Sequence, residues 1–185
     1  MGESRQKRKK PHDLFQEIDQ GLEDMKSQKK TVYIETSIVS YLKARPSSDL
    51  LAAAWQKVTL DWWETQRDRF CLYTSDVAIE EAGKGDPDAA ALRMEALVQI
   101  PILEITDSVL AFSKVLINTG TLPKKAIDDS LHIALSVVHG VDYLLTWNCR
   151  HIDNAETKPI IRNVCLVHGY KCPEICTPVE LMGGN

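Results

Sequence analysis

The apolar positions along the chain follow two recurring patterns. Short runs rich in β-branched and aromatic residues, "TVYIE" (31–35), "FCLYT" (70–74), "LEIT" (103–106), "DYLLT" (142–146) and "EICT" (174–177), read as buried strands. Between them, apolar residues return every three or four positions, which predicts helices over 37–43, 49–67, 76–83, 88–98, 107–118, 124–139 and 158–170 ("KPIIRNVCLVHGY"). The breaks at "RPSSD", "GKGDPD" and "GTLP" carry turn chemistry. Thr177, Pro178 and Glu180 supply a cap, a first-turn proline and a capping-box glutamate for a last short helix. Short strands alternating with helices predict an α/β domain with a central parallel sheet and helices on both faces.

The first thirty residues do not share this pattern. A basic run, "RQKRKK", precedes a segment in which Leu14, Phe15, Ile18, Leu22 and Met25 fall on one helical face, so an unstructured lead followed by an amphipathic helix over 13–28 is expected. Eight Lys and Arg against six Asp and Glu give residues 1–30 a net charge of +2, which leaves -6 on residues 31–185 out of the total of -4. The chain therefore divides into a basic extension, 1–30, and an acidic domain, 31–185. The amphipathic segment suits a tether or a homodimer helix.

Composition narrows the class. With 185 residues, 44% of them hydrophobic and 26% charged, the chain has enough apolar material for one globular core. Its longest apolar runs fall far short of the roughly 20 residues that cross a bilayer, so no membrane role and a cytoplasmic location are expected. Five cysteines, an odd number in a chain without a secretion signal, read as reduced thiols rather than a disulfide framework. A pI near 5.7 argues against a broad basic face that holds nucleic acid through phosphate contacts alone.

The acidic groups fall where an α/β sheet places its ligands, beyond the carboxyl ends of the strands. Glu35 closes the first strand. Glu81 lies in the helix entered from the second, Asp128 and Asp129 open the helix after "GTLP", and Asn148 follows "YLLTW". Carboxylates gathered without lysine or arginine repel one another unless a divalent cation stands between them. Oxygen donors of this kind suit Mg²⁺ or Mn²⁺, which polarise a phosphate and acidify a bound water.

The strings "VYIETSIVSYL", "YTSDVAIEEA" and "DDSLHIALSVVHGVDYLLTWN", in that order, resemble the PIN-domain nucleases, in particular the toxin ribonucleases of VapBC-type toxin–antitoxin pairs. The resemblance runs from about Thr31 to Met182. It implies a PIN-like fold, a Mg²⁺- or Mn²⁺-dependent endoribonuclease, an RNA substrate and an antitoxin protein as partner. It also implies that Glu35, Glu81 and Asp129 hold the metal, that Asn148 completes the shell, and that Ser37 or Thr36 orients the first carboxylate. Two positions depart from the family pattern, which has Asp where Glu35 and Asn148 stand. The longer Glu35 side chain moves its carboxylate outward, and Asn148 offers only a neutral carbonyl.

Within this frame Glu81 is expected to face inward and Glu80 outward, and Asp129 is chosen over Asp128. His132, three residues after Asp129 on the same helical face, reads as a hydrogen-bonded core residue rather than a base. Cys165, His168, Cys172 and Cys176 lack the paired knuckles of a zinc site, and the cysteines read as packed thiols. Trp55 and Trp62, seven apart, read as a core or dimer seam. Lys124, Lys125, Arg150 and His151 are the candidates for contacts to RNA phosphates. The two departures leave a rival open, a catalytically inactive PIN-like module that binds RNA or a partner protein.

Overall fold

In the first strand alternate side chains point to opposite faces of the sheet, and each face is buried. Val32 and Ile34 enter one apolar core and Tyr33 enters the other. The computed structural model describes residues 29–183; the amphipathic segment expected over 13–28 lies outside them. Five strands, β1 (Thr31–Ile34), β2 (Cys71–Ser75), β3 (Ile102–Leu103), β4 (Tyr143–Leu145) and β5 (Glu174–Cys176), form one sheet in the order β3-β2-β1-β4-β5. All four pairings are parallel, with Tyr33 beside Tyr73 on one side and Leu144 on the other.

Seven α-helices are present among the described residues: α1 (Thr36–Lys43), α2 (Leu50–Thr65), α3 (Asp76–Ala82), α4 (Pro87–Leu97), α5 (Asp107–Asn118), α6 (Ile127–Val138) and α7 (Thr157–Val167). Phe112 and Leu116 of α5, Ile133 and Val137 of α6, and Ile161 and Cys165 of α7 cover the Tyr33–Leu144–Ile175 face. Ile38 of α1, Trp62 of α2 and Leu97 of α4 cover Val32, Ile34, Leu145 and Cys176. Each fully buried Leu or Ile contributes roughly 1.5–3 kcal/mol over an exposed one, so a sheet sandwiched this way is stable only with both helical layers in place. No helix of the described residues is long and apolar enough to cross a membrane.

Several element ends differ from expectation, each for a local reason. Glu35 is not part of β1; it occupies the cap position of α1 with extended backbone, and the helix starts at Thr36. The third strand is only Ile102–Leu103, shifted back from 103–106, because Thr106 turns to cap α5 by accepting the Val109 N–H. The helix expected over 124–139 begins at Ile127, since Lys124 and Lys125 form a turn closed by the Ala126 N–H on the Pro123 carbonyl at 2.8 Å. Helix α7 stops at Val167 because Gly169, at a φ of 76°, reverses the chain and lets Tyr170 N–H return to the Cys165 carbonyl. The last helix is a 3-10 turn over Pro178–Leu181, with the Glu180 carboxylate accepting from the Thr177 N–H as the capping pattern requires.

Candidate functional site

The chain passes from β3 on one edge back to β4 beside β1, so the switch in strand order falls between β1 and β4. A crevice at that point of an α/β sheet is where ligands bind. Glu35 emerges there from β1 and Thr146 to Asn148 from β4; α3 brings in Glu81 and α6 brings in Asp129 and His132.

Glu35 is 6% exposed, and its charge is met by hydroxyls. Thr146 Oγ1 donates to Oε2 at 2.8 Å, and Ser37 Oγ donates to the same oxygen. Ser37 in turn accepts the Trp147 N–H at 2.8 Å, which ties the start of α1 to the exit of β4. The second carboxylate, Glu81, accepts from Thr36 Oγ1 and lies 3.0 Å from His132 Nε2. Burial opposes its ionisation, but these hydrogen bonds and the nearby cationic groups hold its pKa below the ordinary glutamate value.

His132 is buried at the centre of a relay. Its Nδ1 lies 2.7 Å from the Tyr33 hydroxyl, which lies 2.6 Å from Ser75 Oγ, which itself accepts the Ala78 N–H. Burial disfavours the imidazolium, yet the hydrogen bond to Glu81 and the charges of Glu35, Glu81 and Asp129 outweigh it and raise the His132 pKa. The relay accepts either charge state, because the Tyr33 hydroxyl can donate to Nδ1 or, turned toward Ser75, accept from it. Burial also drives the Tyr33 phenol well above its usual range, so the ring stays neutral.

One oxygen or ring nitrogen from each of Glu35, Glu81 and His132 lies within 4.8 Å of the others, and among the described residues this is the one group of carboxylate, thiolate or imidazole donors so placed. Asp129 stands outside that group. Its two oxygens take the Asn148 amide at 2.8 Å and the His151 Nδ1 at 2.6 Å. Asn148 Oδ1 accepts the His151 N–H at 3.1 Å, so both ends of that amide are engaged, one by α6 and one within the loop after β4. Neither Glu35 nor Glu81 pairs with a lysine or arginine among the described residues.

As read from the sequence, Glu81 faces inward, while Glu80 is exposed and pairs with Lys84. Asp129 is half-buried and Asp128 exposed. Lys124, Lys125 and Arg150 are exposed, on the loops entering α6 and leaving β4. Trp62 is a core residue, and Trp55 stacks on Trp147 with ring centroids 5.0 Å apart. Cys165 and Cys176 are buried thiols, and burial pushes the Cys176 thiol up to about 12. Sequence reasoning placed His132 in the core without finding Tyr33 and Glu81 as its partners, and it overlooked Thr146 altogether. Thr146 becomes legible only once the β1–β4 register sets the end of one strand beside the end of the other.

Neither the models of known protein families nor the curated proteins give a match to this chain.

The donor chemistry fits a hard divalent cation. Two carboxylates converge without a lysine or arginine partner among the described residues, each is oriented by hydroxyls, and the Oε1 atoms of both receive no hydrogen bond from those residues. His132 Nε2 is spent on Glu81, so the imidazole fixes a carboxylate in place of offering a lone pair.

Proposed function

We propose that the protein is a divalent-metal-dependent endoribonuclease of PIN-like type that hydrolyses RNA phosphodiesters. The observation that carries this reading is the convergence of Glu35 and Glu81 at the strand-order switch with no lysine or arginine among the described residues paired to either. Glu35 and Glu81 would hold Mg²⁺ or Mn²⁺. Asp129 would join them only by giving up Asn148 or His151. A cation held there would supply the charge that polarises a scissile phosphate and acidifies a water.

The chain's own residues set the geometry. Ser37 and Thr146 fix Glu35, and Thr36 and His132 fix Glu81. Lys124, Lys125 and Arg150, exposed on flanking loops, are suited to contact phosphates of a single-stranded stretch, where unstacked bases can be splayed out. The resemblance of the quoted strings adds the role of toxin in a toxin–antitoxin pair and an antitoxin protein as partner.

A second reading has its own support. Asn148 stands where the resembled family has a carboxylate, and Asp129 has both oxygens occupied. An inactive module that binds RNA or a protein would tolerate both. Incubation of a structured RNA pool with the purified protein in Mg²⁺, Mn²⁺ or EDTA, beside Glu81→Gln and Asp129→Ala, separates the two. Metal-dependent cleavage that Glu81→Gln abolishes supports the nuclease, and metal-independent RNA retention without cleavage supports the module.

A further inference from the structure

Two hollows flank the carboxyl end of α4. One, of about 490 Å³, lies between α2 and α4 and is walled by Trp63, Phe70, Leu72 and Ile100, with Lys43 and Arg67 at its rim. The other, of about 500 Å³, lies between α4 and the β3 edge and is walled by Ile79, Met94, Leu97 and Ile102. Glu95, Val98 and Ile100 line both, so the two form one trough that bends around Val98. Val98 is 77% exposed and Ile102 is 47% exposed, an arrangement that leaves apolar surface in water at the edge of the sheet.

The described chain begins at the mouth of this trough. Lys29 Nζ donates to the carbonyl of Asp68 at 2.7 Å, and Asp68 lines the first hollow. The Lys30 carbonyl accepts the Cys71 N–H at 2.9 Å, which fixes the first described residues beside this hollow. The residues before them carry Leu14, Phe15, Ile18, Leu22 and Met25 on one helical face, and the same span from 13 to 25 has Asp13, Glu17, Asp19, Glu23 and Asp24 with no lysine or arginine. A helix of that span is roughly 20 Å long, and Met25 stands only four residues from the Lys29 anchor.

We propose that the trough is the docking site of the chain's own residues 13–25. The apolar face covers Trp63, Leu72, Val98 and Ile102, and acidic residues of the segment meet Lys43 at the rim. The occupant is the same chain and not a second copy, because the short tether from residue 25 to Lys29 holds the segment beside the trough at a high effective concentration. Neither Glu35 nor Glu81 lines either hollow, so the docked segment leaves both carboxylates uncovered. It therefore completes the helical layer and does not act as an inhibitor.

The test uses the full chain with Val98→p-benzoylphenylalanine, a photocrosslinker at an exposed position. An equal mixture of ¹⁴N- and ¹⁵N-labelled protein is irradiated, digested and mapped by mass spectrometry. Cross-links from position 98 to residues 13–25 within peptides of one isotope are expected. Mixed-isotope cross-links would assign the trough to a second copy, and the absence of any link to 13–25 would leave the segment elsewhere; either overturns the proposal. Amide exchange of the chain without the crosslinker provides a second reading. The Ile18→Asp, Leu22→Asp double variant should exchange the amides of 94–100 at least fivefold faster than wild type, and equal rates would also overturn it.

Discussion

His132 Nε2 lies 3.0 Å from Glu81 Oε2, joining a buried imidazole on α6 to a partly open carboxylate on α3. The His132 pKa is raised, so its share of stability is complete below about pH 6.5, the ordinary histidine value, and is lost as the pH rises through the folded value. The Glu81 pKa is lowered, so its share is present above about pH 4.5 and is lost as the pH falls through the folded value. Wild type should therefore exceed Glu81→Gln in stability most clearly between pH 4.5 and 6.5. The margin in metal-free buffer should be on the order of 1–2 kcal/mol, kept small because water reaches Glu81. Urea melts at pH 5.5 and pH 8.5 check this, and a gap that is larger at pH 8.5 contradicts it.

Thr146 and Ser37 converge on one oxygen of Glu35. Thr146→Val keeps the shape of the side chain and removes the donor, so Mn²⁺ binding by calorimetry should weaken about tenfold, as for other groups that orient a metal-binding carboxylate. Unchanged affinity would mean that Glu35 is held by other contacts.

Asp142 closes the start of β1 onto β4. Its Oδ2 accepts from the Thr31 N–H at 3.0 Å and from Thr31 Oγ1 at 3.1 Å, while Lys30 reaches Oδ1 at 3.2 Å. Burial works against the charge, and these donors hold the carboxyl below its ordinary value of 3.8. Asp142→Ala should cost about 1 kcal/mol at pH 7, the half-exposed Lys30 arm adding little. Because the folded pKa is depressed, the cost should persist down to about pH 3.8 and shrink below it. Acid titration of both proteins by circular dichroism reads the difference.

Trp147 links the end of β4 to α2: its indole N–H donates to the buried Thr59 Oγ1 at 2.7 Å and its ring stacks on Trp55. Trp147→Phe should cost about 1 kcal/mol and Trp147→Ala about 3–5 kcal/mol. The Ala variant should also loosen the neighbouring Asn148–Asp129–His151 contacts, seen as a shift of the His151 imidazole resonances.

The alternation of short apolar runs with 3.6-periodic stretches was enough to read the parallel sheet and both helical layers, because burial on two faces forces that pattern on residues such as Val32, Tyr33 and Ile34. Edges were less legible. The two-residue β3 pairs on one side only, so its apolar run carries on past its hydrogen bonds until Thr106 turns to cap α5. At the site, Glu35, Glu81 and Asp129 stood out by type and position. The assignment of Glu81 to Thr36 and His132, and of Asp129 to Asn148 and His151, depends on contacts between residues as many as 51 positions apart. No local pattern encodes such a choice. The proximity of His132 to Asp129 in sequence pointed to a shared face and left the partner open.

The most direct test of the central claim is the melting temperature of wild type and Glu35→Gln, each with EDTA and with increasing Mn²⁺. If Glu35 and Glu81 form a cation site, wild type should gain stability with Mn²⁺ by mass action, about 2.7 kcal/mol at a hundredfold excess over the dissociation constant, and Glu35→Gln should gain almost none. Identical curves for the two proteins, or no rise with Mn²⁺ in wild type, would contradict the cation site and with it the nuclease reading.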